Sequence, residues 1–478
     1  MTLTQIVLFV GLALVLAATL PGRWRGPALY VASLGALFWL QPPLAIRWLD
    51  YSLPLALFLL TVLLWWITLP AAGRRLSRAD ALALAAGAGM ALLLALARYV
   101  PALQALEITT RPPEITGVLL ALLLAGLLLA LLARAPAAPL LWAALGVIIG
   151  LFLSIKTEPL ALALSAFLRG QSGQETAAAA AADLNWLGFS YVAFRLIHTV
   201  RDRQSGLLPA CSLAEYVTYV LFFPALTAGP IDRAGRFVEE LRSLPARRGL
   251  EAARLAEGCR RIAVGLFKKF VIADSLALFA LNTATADQAV STGALWVMLY
   301  AYALRLFFDF SGYTDIAIGI GLLFGITLPE NFDRPYLKNN LNAFWQSWHM
   351  SLSAWVRAYV YSPMQRSLLR RQPRPPQELI TLVCHLSTML IIGLWHGVTL
   401  PFAVWGLWHG AGLFVHKLWS DRSKRWYLRL KTQPRGYRAW SLAGTLLTFH
   451  FVCLGWVWFA LPDMGQALRV FLRLFGVA

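Results

Sequence analysis

Acidic residues are scarce in this chain: 23 Asp and Glu stand among 478 residues against 42 Lys and Arg, and charged residues together make up only 14%. A soluble domain carries about 25% charge, so an ordinary water-facing surface is excluded. Cysteine is equally thin. Cys211, Cys259, Cys384 and Cys453 are scattered without a CxxC spacing, which suggests neither a disulfide framework nor a zinc site. No glycine-rich phosphate loop, dinucleotide fingerprint, HExxH or GxSxG occurs, so nucleotide, zinc-protease and serine-hydrolase chemistry have no foothold. Nor does one half of the chain echo the other. The two LWHG copies at 394–397 and 407–410 lie too close together to be repeat units, which weighs against a transporter built from inverted repeats.

What is present is oil. Hydrophobic residues make up 59% of the chain and the mean hydropathy is +0.64. A spanning helix needs roughly 20 mainly apolar residues, and about eleven to thirteen windows qualify, some of them broken or re-entrant. The expected fold is therefore an all-α polytopic membrane protein, since helices satisfy their own backbone in lipid. The first 20 residues have no charged segment before their apolar run, so they read as a retained helix rather than a signal peptide.

The net charge of +19 invites a nucleic-acid reading, but the cations fall in short loops between apolar runs instead of on one face. They read as topology markers. The basic loops at 21–26, 72–78, 241–261, 366–376 and 420–438 can all lie on the cytoplasmic side, which puts the N-terminus outside the cell membrane. Loops 100–115 and 285–292 carry few cations and then fall outside. No nucleic-acid partner is expected.

Two zones differ in texture. Residues 1–183 are bland Leu/Ala helices ending in the run AAAAAAD, whereas residues 184–478 carry Arg195, His198, Asp309, Asp315, His349, Arg357, His396 and His409 within apolar surroundings. Ionisable groups at membrane depth are costly and face a bundle interior or a wet cavity, so the chemistry belongs in the second zone. Read as one helix, 340–362 places Trp348, Leu352, Trp355 and Tyr359 on one stripe and His349, Ser353 and Arg357 on an adjacent polar row. Such a helix lies at the interface or dips into the protein. His396 sits between an apolar run and Gly397, with Trp395 beside it and Pro401 expected to break the helix soon after. An imidazole kept neutral there can take a proton from a hydroxyl. For any one histidine alone the commoner role is an interfacial anchor or packing, and His198, His385, His409, His416 and His450 are read that way. Asp309, Asp315 and Arg195 could equally form a structural ion-pair set.

The motifs together are more specific. FFPALTAGPIDRAGRF, FFDFSGYTDIAIGIGLLFGI and ENFDRPYLKNNLNAFWQSWHMSLSAWVRAYVYSPM, followed by the histidine of GLWHG 47 residues after His349, resemble the membrane-bound O-acyltransferase family over about residues 185–420. The resemblance implies a helical core enclosing a tunnel, with His396 as catalytic base and His349 as the second active-site residue. It implies that Asn342, Trp345, Trp348, Ser351, Arg357, Asp309 and Trp395 line or support that tunnel. A thioester would enter from the cytoplasm and a hydroxyl from the other face, with no metal and no bound cofactor. His349 or Asn342 could stabilise the oxyanion.

Within the family the motifs look most like the teichoic-acid D-alanyl transferase branch, which uses a phosphopantetheinyl carrier protein. The alginate and cell-wall O-acetyltransferases, served by acetyl-CoA or another acetyl donor, share the two histidine motifs. The implied partners are the carrier protein or other thioester donor, an extracytoplasmic accessory acyltransferase-like protein and a polymer acceptor. Lys338, Arg370 and Arg371 are the expected donor-docking cations. A transporter or flippase, with the histidines relaying protons, and a non-catalytic scaffold are the competing readings.

Overall fold

The computed structural model describes residues 1–70, 74–104, 108–109, 112–246 and 251–477; parts of the loops at 72–78, 100–115 and 241–261 lie outside them. The described residues form helices and turns, with no strand among them. Among the described residues, seven helices are long and apolar enough to cross a membrane: Leu49–Thr68, Arg78–Arg98, Ile115–Leu132, Ala137–Lys156, Thr292–Leu323, Gln377–His396 and Pro434–Ala460. Leu3–Thr19 and Leu213–Ala225 are apolar but shorter. The remaining apolar windows are divided among short or interrupted helices, the form a chain takes where neighbouring protein, rather than lipid, meets its backbone. The chain is an all-α, multi-pass membrane protein.

By backbone contacts the chain divides into two compact units, Met1–Ile262 with Ala317–Leu328, and Ala263–Ile316 with Pro329–Ala478. In the first, polar atoms tie helices at single points. The Tyr51 hydroxyl donates to the Ala91 carbonyl and the Tyr30 hydroxyl to that of Ala83, each at 2.6 Å. The AAAAAAD run ends in Asp183, which accepts from Arg169 Nε and Ser165 Oγ at 2.7 Å each. Arg195 is 2% exposed and donates to the carbonyls of Val220 and Ala225 at 2.8 and 2.7 Å. The motif GPIDRAGRF is held by its own charges. Asp232 is paired with Arg236, whose guanidinium also donates to the Thr327 carbonyl, and the Tyr219 hydroxyl donates to the Asp232 carbonyl at 2.9 Å.

In the second unit, Gln377–His396 and Leu400–Lys431 form an antiparallel hairpin. Their backbones nearly touch: a Cβ on Gly393 would lie 2.3 Å from the Phe402 carbonyl oxygen, and one on Gly406 2.5 Å from that of Met389. Only glycine fits such an approach. Pro401 does not break the His396 helix as the sequence predicts. That helix ends at His396 itself, and Pro401 lies in the first turn of the next one, where its missing N–H is no loss.

The single helix predicted over 340–362 is also corrected. Leu341–Trp345 is one short helix, Met350–Val356 another, and Arg357–Tyr361 widens into a π-helical turn before Ser362–Leu369. The break falls at His349, whose φ of 43° is left-handed. A neighbouring strip of chain holds it there. The Met350 N–H donates to the Asn331 carbonyl at 2.9 Å and the Asp333 N–H to the Ser347 carbonyl at 3.0 Å. These bonds divert backbone groups that a continuous helix would have used.

Candidate active site

His349 is 3% exposed and lies at the start of a helix, pinned through the turn that begins at Met350. Ser351 donates to Asn331 Oδ1 through both its N–H, at 3.1 Å, and its hydroxyl, at 2.6 Å. Asn331 is fully buried, so one side chain fixes the first turn after the histidine. A non-glycine residue at positive φ is uncommon, and histidine is among the types that tolerate it. Strain of this sort persists where the surroundings over-determine it, and it clusters at functional sites.

The His349 ring meets Phe310 edge-on at 4.8 Å between centroids and Trp395 at 6.2 Å. Trp395 also meets His396, at 4.5 Å. The two imidazoles thus share one indole, and their centroids are no farther apart than those last two distances laid end to end. Around His396 stand Phe459 at 4.7 Å, Trp405 at 5.6 Å and Phe402 at 6.0 Å, a collar of aromatic rings. His396 is half-buried where His349 is closed off.

A cavity of about 610 Å³ approaches this pair. Trp345, Met389 and Ile392 line the end toward His396; Ile392 is one helical turn before it. His416, Lys417 and Ser420 line the opposite end, and Asn342, Ser353, Arg357 and His385 also contribute. The cavity is apolar near the histidines and polar and cationic away from them. Trp345 touches Trp405 at 5.8 Å, so the wall of the cavity is also in contact with the collar.

The other predicted residues divide. Trp345, Trp348 and Trp355 are buried rather than set at an interface: Trp348 packs among Phe332, Phe344, Tyr336 and Trp456 at 5.2–5.6 Å. Lys338 lies 2.7 Å from Asp333, and its ammonium holds that carboxyl below the usual carboxylate range. Lys338, Arg370 and Arg371 are not among the residues lining the cavity, whereas Arg357 and Lys417 are. Asp309 and Asp315 do form ion pairs, but with Lys269 and Lys268. Of the histidines read as packing, His385 and His416 line the cavity, His450 lies 2.9 Å from the Tyr300 hydroxyl, His198 pairs with Asp202 at 2.9 Å, and His409 is fully buried beside Trp405 and Trp345.

Sequence reasoning missed Asn331, Phe310, Phe459 and the two lysines. The lysines carried a readable signal, two adjacent cations inside the apolar stretch LFKKFVI. The aromatic residues carried none, because rings abound in every such helix.

Two imidazoles about one indole, with a cavity whose lining begins one helical turn away at Ile392, make a site for histidine chemistry inside a helical membrane protein rather than a soluble enzyme. The model of the membrane-bound O-acyltransferase family matches residues 143–461, and the chain belongs to that family. Its similarity runs to several curated relatives. It is 34% identical over 288 residues to the teichoic acid D-alanyltransferase of Streptococcus thermophilus, covering 58% of this chain and 68% of that protein. A probable alginate O-acetylase of Pseudomonas fluorescens is 35% identical over 294 residues, covering 60% of this chain and 54% of the relative. The peptidoglycan O-acetyltransferase of Helicobacter pylori is 36% identical over 263 residues, 55% of this chain and 47% of the relative. The match thus spans about half the length of the two acetylating relatives. By family the chain is an O-acyltransferase.

Proposed function

We propose that this chain moves a D-alanyl group from a phosphopantetheine thioester at the cytoplasmic face to a hydroxyl of an extracytoplasmic cell-envelope polymer, working in the plasma membrane with its N-terminus outside. The observation that carries the reading is the sharing of Trp395 by His349 and His396, one helical turn from Ile392 in the cavity wall. His396 takes the acceptor's hydroxyl proton as the oxygen attacks the thioester carbonyl. The carbon–sulfur bond breaks, and the proton passes to the leaving thiolate. His349, fixed by Asn331 through the turn after it, orients the reacting groups or donates to the developing oxyanion. The thioester is already activated, and the chemistry calls on no metal or nucleotide.

The donor arm fits the cavity's gradient. Its carrier-linked phosphodiester would rest near Arg357 and Lys417, and its acyl end near Ile392 and Trp345. An acidic carrier protein would dock on cations at the mouth, with an extracytoplasmic accessory protein handling the acceptor. Arg370 and Arg371, though outside the cavity lining, are exposed and suit that docking. A second reading, acetyl transfer to a polysaccharide or peptidoglycan hydroxyl, is favoured by identities of 35–36% to acetylating relatives, no lower than that to the D-alanyl one.

The deciding experiment is acyl transfer by purified, reconstituted protein offered D-alanyl and acetyl pantetheine thioesters. His396→Ala should lose about 10²- to 10⁴-fold in turnover while remaining inserted, the range a general base contributes. Near wild-type turnover would remove His396 from the mechanism. His349→Gln should keep more activity than His349→Ala if hydrogen bonding is its role. The preferred thioester decides between the two acyl groups.

A further inference from the structure

Two ion pairs join the same two stretches of helix, and they differ in exposure. Lys268 and Lys269 are adjacent in the π-helical turn Phe267–Ala273. Lys268 Nζ lies 2.7 Å from Asp315, whose side chain is 9% exposed, while Lys269 pairs with Asp309, whose side chain is 47% exposed. Between the two aspartates, Gly312 meets Gly265 backbone to backbone: a Cβ on Gly312 would lie 2.8 Å from the Gly265 carbonyl oxygen. The crossing sets one aspartate on each side of the contact. The two lysine side chains are alike, 26% and 22% exposed, so the difference lies in the carboxylates: Asp315 is closed within protein and Asp309 is open.

Asp309 stands near the middle of the 32-residue helix Thr292–Leu323, which is long and apolar enough to cross a membrane. Lipid offers an ion pair no hydrogen bonds, so a half-exposed carboxylate midway along such a helix faces water rather than acyl chains, together with the ammonium paired to it. The residue after Asp309 is Phe310, the ring that meets His349 at 4.8 Å. Neither Lys269 nor Asp309 is among the residues lining the 610 Å³ cavity. The water they face therefore lies outside that cavity.

We propose that the Lys269–Asp309 pair lines a water-filled recess that receives the hydroxyl-bearing acceptor, with Asp309 accepting from its hydroxyls and Lys269 donating to its oxygens. This rests on the acyl-transfer reading above. The donor then has the cavity at Arg357 and Lys417, the acceptor has the recess at Asp309, and the two meet across Trp395. π-Helical turns are rare and frequently mark functional positions, and here the turn is what presents consecutive lysines to two aspartates six residues apart.

Two measurements test the proposal. In lipid nanodiscs, Lys269→Cys should react with a membrane-impermeant, charged methanethiosulfonate at least tenfold faster than Leu123→Cys, a position 71% exposed on the apolar helix Ile115–Leu132, each read against the unsubstituted chain. Equal rates would mean that the pair faces lipid and would overturn the recess. Secondly, the double variant Asp309→Asn, Lys269→Gln keeps a hydrogen-bonding pair without charge. Ester-linked acyl groups on the envelope of cells carrying it should fall at least fivefold further than the purified variant's hydrolysis of acyl-pantetheine by water. A parallel loss of both marks a structural staple, and no loss leaves the acceptor without a site there; either refutes the proposal. The labelling result does not depend on acyl chemistry, so it stands or falls apart from the His396→Ala result.

Discussion

The helix Ile115–Leu132 is the most apolar candidate span, almost wholly Leu and Ala, and only 6% of it is buried; Thr292–Leu323 is the least apolar, and 67% of its most apolar window is buried. In water the order would be reversed. Here lipid is the good solvent for leucine, so the uniformly oily helix faces outward, and the helix with Asp309 and Asp315 is taken inside, where Lys269 and Lys268 answer its carboxylates. Hydropathy in this molecule therefore marks what is passive. The dips in hydropathy mark where the site is.

That contrast can be broken or sharpened by substitution. The largest stability effect is expected from Lys268→Met, which removes the cation paired with the largely buried Asp315 carboxylate and should cost about 3–5 kcal/mol, read as a lower unfolding midpoint in detergent. An unchanged midpoint would mean that water reaches Asp315 as well. Ile316→Ala removes a fully buried side chain packed at the Gly265–Gly312 crossing and should cost about 2–5 kcal/mol. Asn331→Ala leaves the Ser351 N–H and hydroxyl without their acceptor. It should cost about 1–3 kcal/mol and lower turnover together with stability, because His349 loses its anchor. Leu123→Ala on the outward helix should change stability by no more than about 0.5 kcal/mol, since lipid closes over the lost volume and no cavity forms. A cost at Leu123 matching that at Ile316 would show that the outward face is covered by protein.

The sequence is legible where a rule of solvent or of chemistry acts locally. Long apolar runs announce spanning helices, and the Trp-His pairs announce His349 and His396. It misleads where long-range bonds override periodicity. The stripe through Trp348, Leu352, Trp355 and Tyr359 is a sound helical pattern, yet backbone bonds from Asn331 and Asp333 break the helix at His349, and nothing in 340–362 encodes a partner lying before residue 334. The donor-docking cations illustrate the same limit. Arg370 and Arg371 stand out by their neighbours in sequence, while Lys417 reaches the cavity from the hairpin helix Leu400–Lys431 and Arg357 from the π-helical turn Arg357–Tyr361. Lys268 and Lys269 resemble loop charge at first sight, although their flanking Phe and Val residues already place them in oil.

The aromatic collar around His396 has a consequence for the cell's energy supply. Any route by which a thioester from one side meets a hydroxyl from the other is also a route for ions, and a membrane holding 100 mV pushes each elementary charge with about 2.3 kcal/mol. Trp395, Phe402, Trp405 and Phe459 close on the imidazole edge-on and face-on, so an ion passing the histidine would meet apolar rings. The collar is then an electrical insulator as much as a binding wall, and replacing its rings by alanine would be read first in the leak of protons through vesicles that hold the protein.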